Sequence, residues 1–319
     1  MADGKREKIS FVIPCYNSTN TIDKVVQEIK EVMNSTMSKY DYEIVLVNDG
    51  SPDGTTYDAI VEIVKSEKCI KGINLARNFG QPSAVMAALN QTTGDYVVCG
   101  DDDGQTPFNE LDKLFEKIEE GYDLVEARYA IREKRSLFRR LGTVLNEGMA
   151  TWLIAKPKGL ELTTYWVTRR FVVDQMINYP NPYPYLGGLM LRATQNACNV
   201  NVTHRKRLSG KSGYSLKKMM ELWLNGFTSF SVEPLRLATW VGSIIAAGGF
   251  IYGLIIIIMK LAGAAVNAGY SSIMAVNLFM FGVLLCFMGL IGEYVGRIYI
   301  SLNNAPQFVI KDYQESDEM

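Results

Sequence analysis

The sequence predicts an α/β domain built on a mainly parallel sheet with helices on both faces, followed by a membrane-crossing hairpin. Three observations carry this reading. From Ile9 to Ala127, short apolar runs alternate with helical stretches of about 10–15 residues, the pattern of βαβ units. Residues 1–234 hold nearly all the charge, whereas Leu237 to Met259 is a run of 23 residues without any. A second uncharged run follows Lys260 and reaches Gly292, strongly apolar from Ile273 onward. Each run exceeds the roughly 20 residues needed to cross a bilayer core of about 30 Å. The third observation is one strand end, where Tyr96–Cys99 gives way to Gly100-Asp101-Asp102-Asp103-Gly104-Gln105-Thr106-Pro107.

The elements follow in order. Ile9 to Pro14 reads as a strand ended by proline, and Cys15-Tyr16-Asn17 as a turn. Ser18 to Asn20 cap a helix running to about Met37. Tyr42 to Val47 is the next strand. The turn cluster Asn48-Asp49-Gly50-Ser51-Pro52-Asp53-Gly54 leads from it into a helix ending near Glu67. Cys69 to Leu75 is a third strand, closed by Ala76-Arg77-Asn78-Phe79-Gly80, with a helix from Pro82 to Asn90. The acid turn precedes a helix from about Phe108 to Glu119, and Tyr122 to Ala127 is a further strand.

Composition narrows the class. The 319 residues leave room for about two domains. A net charge of −1 gives no sign of a nucleic-acid partner. The start, MADGKREKISFVIP, lacks the apolar core of a signal peptide. The five cysteines (15, 69, 99, 198, 286) show no metal-binding spacing and fit a reducing compartment.

Three adjacent carboxylates repel one another, and a divalent cation relieves that repulsion. Carboxylate and amide oxygens suit Mg²⁺ or Mn²⁺, which take one or two carboxylates plus substrate phosphates. Ligands of open α/β sheets sit at the carboxyl ends of strands. The acid turn thus reads as a metal–diphosphate site, against the alternative of a solvated turn capping the helix after Pro107. Other phosphate motifs are missing. No GxGxxG follows the first strand, and the position a Walker motif needs as glycine before Gly210-Lys211-Ser212 is Arg205.

Val12-Ile13-Pro14-Cys15-Tyr16-Asn17, Val47 to Thr55, Arg77-Asn78-Phe79-Gly80-Gln81 and Asp101 to Pro107 occur in an order and spacing that resembles the family 2 glycosyltransferases of GT-A (Rossmann-like) fold. Within that family the chain is similar to the polyprenyl-phosphate glycosyltransferases, the group of dolichyl-phosphate mannose synthase and its bacterial undecaprenyl-phosphate relatives. The resemblance spans nearly the whole chain. It implies a nucleotide-sugar cradle of Pro14, Tyr16, Asn17, Asp49, Arg77, Asp101 and Asp102, with Asp103 and Gln105 holding Mg²⁺ or Mn²⁺. Read locally, Pro14 and Tyr16 also serve as turn residues, Asp49 and Asp53 as helix caps, and Arg77–Gly80 as a strand terminator.

Arg128, Arg132, Arg135, Arg139 and Arg140 precede Leu141 to Ile154, an amphipathic stretch containing Trp152 that suits a helix on the membrane surface. The resemblance implies that Arg128 and Arg139, with Thr143 in place of a usual serine, hold the lipid phosphate. His204 to Tyr214 matches the family's Arg-x-x-Gly-x-Ser-x-Tyr signature through Arg207, Gly210, Ser212 and Tyr214. It implies phosphate binding by Arg207 and Ser212 on a mobile loop. The same loop also reads as a basic segment attracted to anionic lipid. Asp103, Arg128, Arg139 and Arg207 form the expected catalytic set. The stretch Thr163-Thr164-Tyr165-Trp166-Val167 departs from an Asp-Phe-Arg-Leu-like motif of relatives, a loss for which Arg169 or Arg170 would compensate.

The expected organisation is a cytosolic catalytic domain (1–210), a juxtamembrane amphipathic helix (211–234), two membrane helices (235–302) and a cytosolic tail (303–319). Six Lys or Arg within 203–218, with Arg297 and Lys311 after the second span, place the catalytic domain and both termini in the cytoplasm at the cell membrane. The many glycines of the hairpin suit association into homo-oligomers. The expected reaction is inverting transfer of a sugar from a nucleotide-sugar, taken as a UDP-sugar, to polyprenyl (undecaprenyl) phosphate for cell-envelope glycan modification. A phosphate monoester with a second pKa of about 6 is already an anion at neutral pH and needs no general base. The alternatives are transfer to a diacylglycerol-type lipid and a non-catalytic membrane scaffold that keeps the fold. A processive polysaccharide synthase is disfavoured by the lack of a Gln-x-x-Arg-Trp motif.

Overall fold

The computed structural model describes residues 6–129, 156–203, 205, scattered positions between 240 and 262, 269–303 and 305–316. The amphipathic segments expected at 141–154 and 211–234, with Arg139, Thr143, His204, Arg207 and Ser212, lie outside the described residues. The chain divides into two compact units, Met1–Leu222 together with Asn304–Met319, and Trp223–Asn303.

The first unit is built on a sheet whose described strands run side by side in the order Ala197–Val202, Leu124–Tyr129, Trp166–Arg169, Tyr96–Cys99, Lys8–Cys15, Asp41–Asn48, Ile70–Leu75 and Ile310–Glu315. Strands β1 (Lys8–Cys15), β2 (Asp41–Asn48), β3 (Ile70–Leu75) and β4 (Tyr96–Cys99) form its parallel centre. Helices α1 (Ile22–Asn34), α2 (Thr56–Ser66) and α3 (Gln81–Leu89) connect them in turn. A 3₁₀ turn at Phe108–Glu110 leads into α4 (Leu111–Glu119). Then come β5 (Leu124–Tyr129), β6 (Trp166–Arg169), α5 (Arg170–Ile177), α6 (Leu186–Ala193) and β7 (Ala197–Val202).

The helices form because apolar residues recur at helical spacing. Ile22, Val25, Val26, Ile29, Val32 and Met33 make one buried face of α1, and Leu111, Leu114, Phe115 and Ile118 that of α4. Both faces join Phe11, Ile13, Ile44 and Leu46 in one core. The α3 helix lacks a polar face and is buried from Ser83 to Leu89. Each fully buried large side chain contributes about 1.5–3 kcal/mol. Pro14 is tolerated within β1 because pairing with β4 stops at Val12–Cys99.

The sheet is mixed rather than mainly parallel. β6 pairs antiparallel with both β4 and β5, and the expected tail supplies β8 (Ile310–Glu315), antiparallel to β3. The Tyr122–Ala127 strand is found two residues later, because Gly121 adopts a positive φ and closes the turn after α4.

In the second unit, helix α7 (Tyr270–Leu302) carries the second apolar stretch. Among the described residues no helix is long and apolar enough to cross a membrane. Part of α7 lies outside that description, so the apolarity of the full stretch is a property of its sequence.

One buried ion cluster locks the sheet at the end opposite the acid turn. Glu43 of β2, 2% exposed, accepts from Ser10 Oγ (2.6 Å), Lys8 Nζ (2.9 Å) and Thr93 N (2.6 Å), with Lys71 Nζ at 3.2 Å. Burial raises its pKa, but the bonds to Ser10, Lys8 and Thr93 and the charge of Lys71 outweigh burial and hold it at about 2. A depressed carboxyl contributes stability above its unfolded pKa of about 4.5. The melting temperature should therefore fall as pH drops from about 4.5 towards 2. Glu43→Gln should remove that acid limb and cost about 3–5 kcal/mol in denaturant unfolding at pH 7, since two lysines lose their buried partner.

Candidate active site

The carboxyl ends of β1 to β4 meet in a cluster of turns. Asn17 takes a left-handed conformation (φ 56°) that asparagine tolerates, and its N–H donates to Ser51 Oγ at 3.0 Å. Gly50 also has a positive φ (58°), and a Cβ there would lie 2.3 Å from Arg77 C, so only glycine lets the β2 and β3 turns touch.

Two of the predicted carboxylates fasten these turns together. Asp49 accepts from Phe79 N (2.7 Å) and Gly80 N (2.9 Å). Burial pushes its pKa up to about 6, against the lowering effect of both bonds. Asp102 Oδ2 accepts from Tyr16 N (3.0 Å) and from Ser18 Oγ, joining the acid turn to the β1 turn. Burial raises Asp102 to about 6; its two bonds oppose this, and Asp101 and Asp103 add to it.

The other acids point elsewhere. Asp101 accepts from Gln81 Nε2 (2.8 Å) and Thr164 Oγ1 (2.6 Å). Asp103 Oδ1 accepts from Gln105 N at 2.9 Å, and Gln105 Nε2 donates to Arg205 O at 3.1 Å. The three acids thus relieve their repulsion by diverging towards separate donors. Among the described residues no group of three or more His, Cys, Asp or Glu is disposed to hold a metal. The Asp103 carboxylate and Gln105 amide, on one turn at the strand end, nonetheless fit the hard oxygen ligands of Mg²⁺ or Mn²⁺, with diphosphate oxygens completing the shell. No competing soft ligand is exposed here: Cys99 is buried, and burial raises its thiol well above the usual value.

Tyr16 is 49% exposed at the rim, and Arg77 stacks on the Phe79 ring with its guanidinium carbon 4.6 Å from the centroid. A cleft of about 410 Å³ is lined by Arg77 together with Asn48, Gly50, Tyr57, Lys311 and Asp312, among others. Asn48 Nδ2 donates to Asn74 Oδ1 and Asn74 Nδ2 to Asp312 Oδ2, both at 2.8 Å, tying β8 to this end of the sheet.

Other expected residues have structural partners. Arg128 is held on one side of its guanidinium. It bonds to Gly159 O and Asn199 Oδ1 (2.9 Å), with Glu161 Oε1 3.3 Å from its Nε. Arg169 donates to Tyr122 O and Ile118 O, and Arg170 to Thr92 and Asp174, so neither fills in for the altered 163–167 motif. Thr164 of that motif reaches Asp101 instead. Asp53 caps α2 through Thr55 N and Thr56 N, both 3.2 Å. Sequence reasoning missed Gln81, Thr164, Ser18 and Arg205. Arg205 holds Glu28 through two bonds (2.8 and 2.9 Å), and its carbonyl is the group that accepts from Gln105.

Comparison with known proteins fits this geometry. The glycosyl transferase family 2 model matches residues 10–177, and a model described as the GtrB C-terminal hairpin matches residues 233–298. An uncharacterized glycosyltransferase, YkcC, of Bacillus subtilis is 32% identical, with 95% of this chain and 93% of the relative covered. An undecaprenyl-phosphate 4-deoxy-4-formamido-L-arabinose transferase of Photorhabdus laumondii is 32% identical over 96% of this chain and 94% of its own length. Among solved structures, glucosyl-3-phosphoglycerate synthase from Mycobacterium tuberculosis, in complex with Mn²⁺, UDP-glucose and phosphoglyceric acid, shares the fold. Its TM-score is 0.50 at 20% identity, with 68% of this chain and 76% of that one covered.

The Asp49 tie gives a pH signature. A carboxyl whose folded pKa lies above its unfolded value contributes stability that is complete below about pH 4 and is lost as pH rises through about 6. The stability gap between wild type and Asp49→Ala should thus be widest near pH 4 and narrow by pH 7, while remaining positive because two N–H groups lose their acceptor at about 1–3 kcal/mol each. Melting temperatures at the two pH values check this.

Proposed function

The chain belongs to glycosyl transferase family 2, and on that premise we propose that it transfers a sugar from a nucleotide-sugar, a UDP-sugar in the first instance, to undecaprenyl phosphate at the cytoplasmic face of the cell membrane. The observation that carries the acceptor is the likeness over 96% of the chain to an enzyme named for undecaprenyl phosphate. It takes in the segment that matches the hairpin model. The Mn²⁺ and UDP-glucose complex of the fold neighbour supports the choice of UDP and of a divalent cation.

The chain's own groups would divide the work as follows. Tyr16, Asn17 and Arg77 line the nucleoside end of the cluster, and Asp49 and Asp102 hold their turns in register. Asp101 faces the ribose and diphosphate. Asp103 and Gln105 would hold Mg²⁺ or Mn²⁺, which when bound supplies charge neutralisation for the departing nucleoside diphosphate. The acceptor phosphate oxygen attacks the anomeric carbon as the bond to the diphosphate breaks, inverting the configuration. No residue need take a proton, since the attacking oxygen is already anionic. The barrier to bringing two anionic substrates together falls to basic groups, for which Arg139, Arg207 and the other arginines of 132–140 and 205–207 are the candidates, with Thr143 and Ser212 as hydroxyl donors. Arg128, held by Gly159 and Asn199 through one edge of its guanidinium, is a further candidate. The apolar runs at 237–259 and 273–292 would anchor the domain in the bilayer.

Transfer of radiolabel from a panel of UDP- and GDP-sugars into undecaprenyl phosphate tests the reading. The full-length protein in detergent should give a chloroform-soluble, acid-labile product that requires Mg²⁺ or Mn²⁺ and is lost with EDTA. Asp103→Ala should lower the rate at least about 100-fold, the scale of removing one electrostatic transition-state contact. Turnover with diacylglycerol but not with undecaprenyl phosphate would overturn the acceptor assignment.

A further inference from the structure

The stretch Thr163–Val167, where this chain departs from its relatives' motif, leaves a buried carboxyl without an assigned task. Glu126 of β5 is 0% exposed. Strand register sets it in a row with Trp166 of β6 and Cys99 of β4, the residue just before the acid turn. Its Oε2 accepts from Thr163 N at 2.9 Å and lies 3.2 Å from Thr163 Oγ1. Its Oε1 is buried and has no partner among the described residues.

The Thr163 hydroxyl has two acceptors within reach, Glu126 Oε2 at 3.2 Å and Tyr165 O at 3.0 Å. Burial raises the Glu126 pKa to about 8, against the lowering effect of the Thr163 bonds. The raised pKa favours the neutral acid, whose burial costs less than that of a carboxylate.

The next residue completes a chain of contacts. Thr164 Oγ1 donates to Asp101 Oδ2 at 2.6 Å, while Gln81 Nε2 holds Oδ1 at 2.8 Å. Two consecutive threonines thus grip two carboxyl groups, one buried in the sheet and one at the donor site. We infer that Glu126, Thr163 and Thr164 form a positioning relay that sets the Asp101 carboxylate for the donor nucleotide, with Glu126 as its buried anchor. This rests on the reading of the acid turn as the donor site. None of the three touches a reacting atom, so all are positioning residues.

Calorimetric titration of UDP and GDP with Mn²⁺ into the full-length protein in detergent, alongside transfer kinetics, tests the relay. Thr164→Val should weaken nucleotide binding about tenfold, the scale of one hydrogen bond to a charged group, and raise the donor KM equally while kcat stays within about twofold. Thr164→Ser should restore both to within about twofold. Glu126→Gln, neutral and of the same shape, should bind as wild type does. Glu126→Ala should weaken binding, and Glu126→Ala with Thr164→Val should be no weaker than Thr164→Val alone, as a shared pathway requires. Should Thr164→Val not fold, Thr164→Ala enters the same assays with the same two outcomes. Nucleotide binding by a folded Thr164→Val or Thr164→Ala variant within twofold of wild type would overturn the relay while leaving the donor reading intact. A wild-type protein that binds neither nucleotide would overturn the donor reading and the relay with it.

Discussion

Everything at the carboxyl end of this sheet depends on two carboxylates that satisfy backbone and hydroxyl donors between neighbouring turns. Parallel strands end with N–H groups that the ladder no longer pairs, and burying them unsatisfied is expensive. Asp49 serves Phe79 and Gly80, and Asp102 serves Tyr16 and Ser18. Each tie spans two connections that are far apart in sequence, so the turns are held as one surface. Both groups are buried enough that desolvation opposes the charged form. That opposition is the physical cost of placing a rigid, polar surface at the top of an apolar sheet.

The acid triplet shows how adjacent like charges coexist without collapsing the turn. Successive residues in a tight turn point in different directions, and each of these three finds its own donor. Asp102 turns inward to the β1 turn, Asp101 sideways to Gln81 and Thr164, and Asp103 back to the N–H of Gln105. A bound cation has less repulsion to relieve than the bare sequence suggests. Its task would be neutralising the substrate's charge rather than the protein's own.

Local chemistry was legible in the sequence, and long-range pairing was not. The central strands β1 to β4 and helices α1 to α4 announce themselves through apolar runs, helical spacing and turn residues, so the placement of Tyr16, Asp49, Arg77 and Asp101–Gln105 on one edge followed from the pattern. The antiparallel strand β6 has only four residues, and the run Trp166 to Thr168 that fills it is too short for periodicity to show. β8 reads as a polar tail because an edge strand needs one apolar side at most. The surroundings of Arg128 were hidden for a related reason: Gly159, Glu161 and Asn199, which lie beside it, are distant in the chain.

The pairing of β8 with β3 has a topological consequence. The last strand belongs to the same sheet as the first, with Leu75 opposite Ile310 and Ala76 N–H bonded to Val309 O. Gln307 Nε2 adds bonds to Tyr179 O and Asn181 O of the same unit. A chain that leaves a sheet and rejoins it must finish on the side of any barrier from which it set out. Any bilayer crossings made between residues 223 and 303 would therefore have to be even in number. An odd number would strand β8 on the far side and leave the edge of β3 bare.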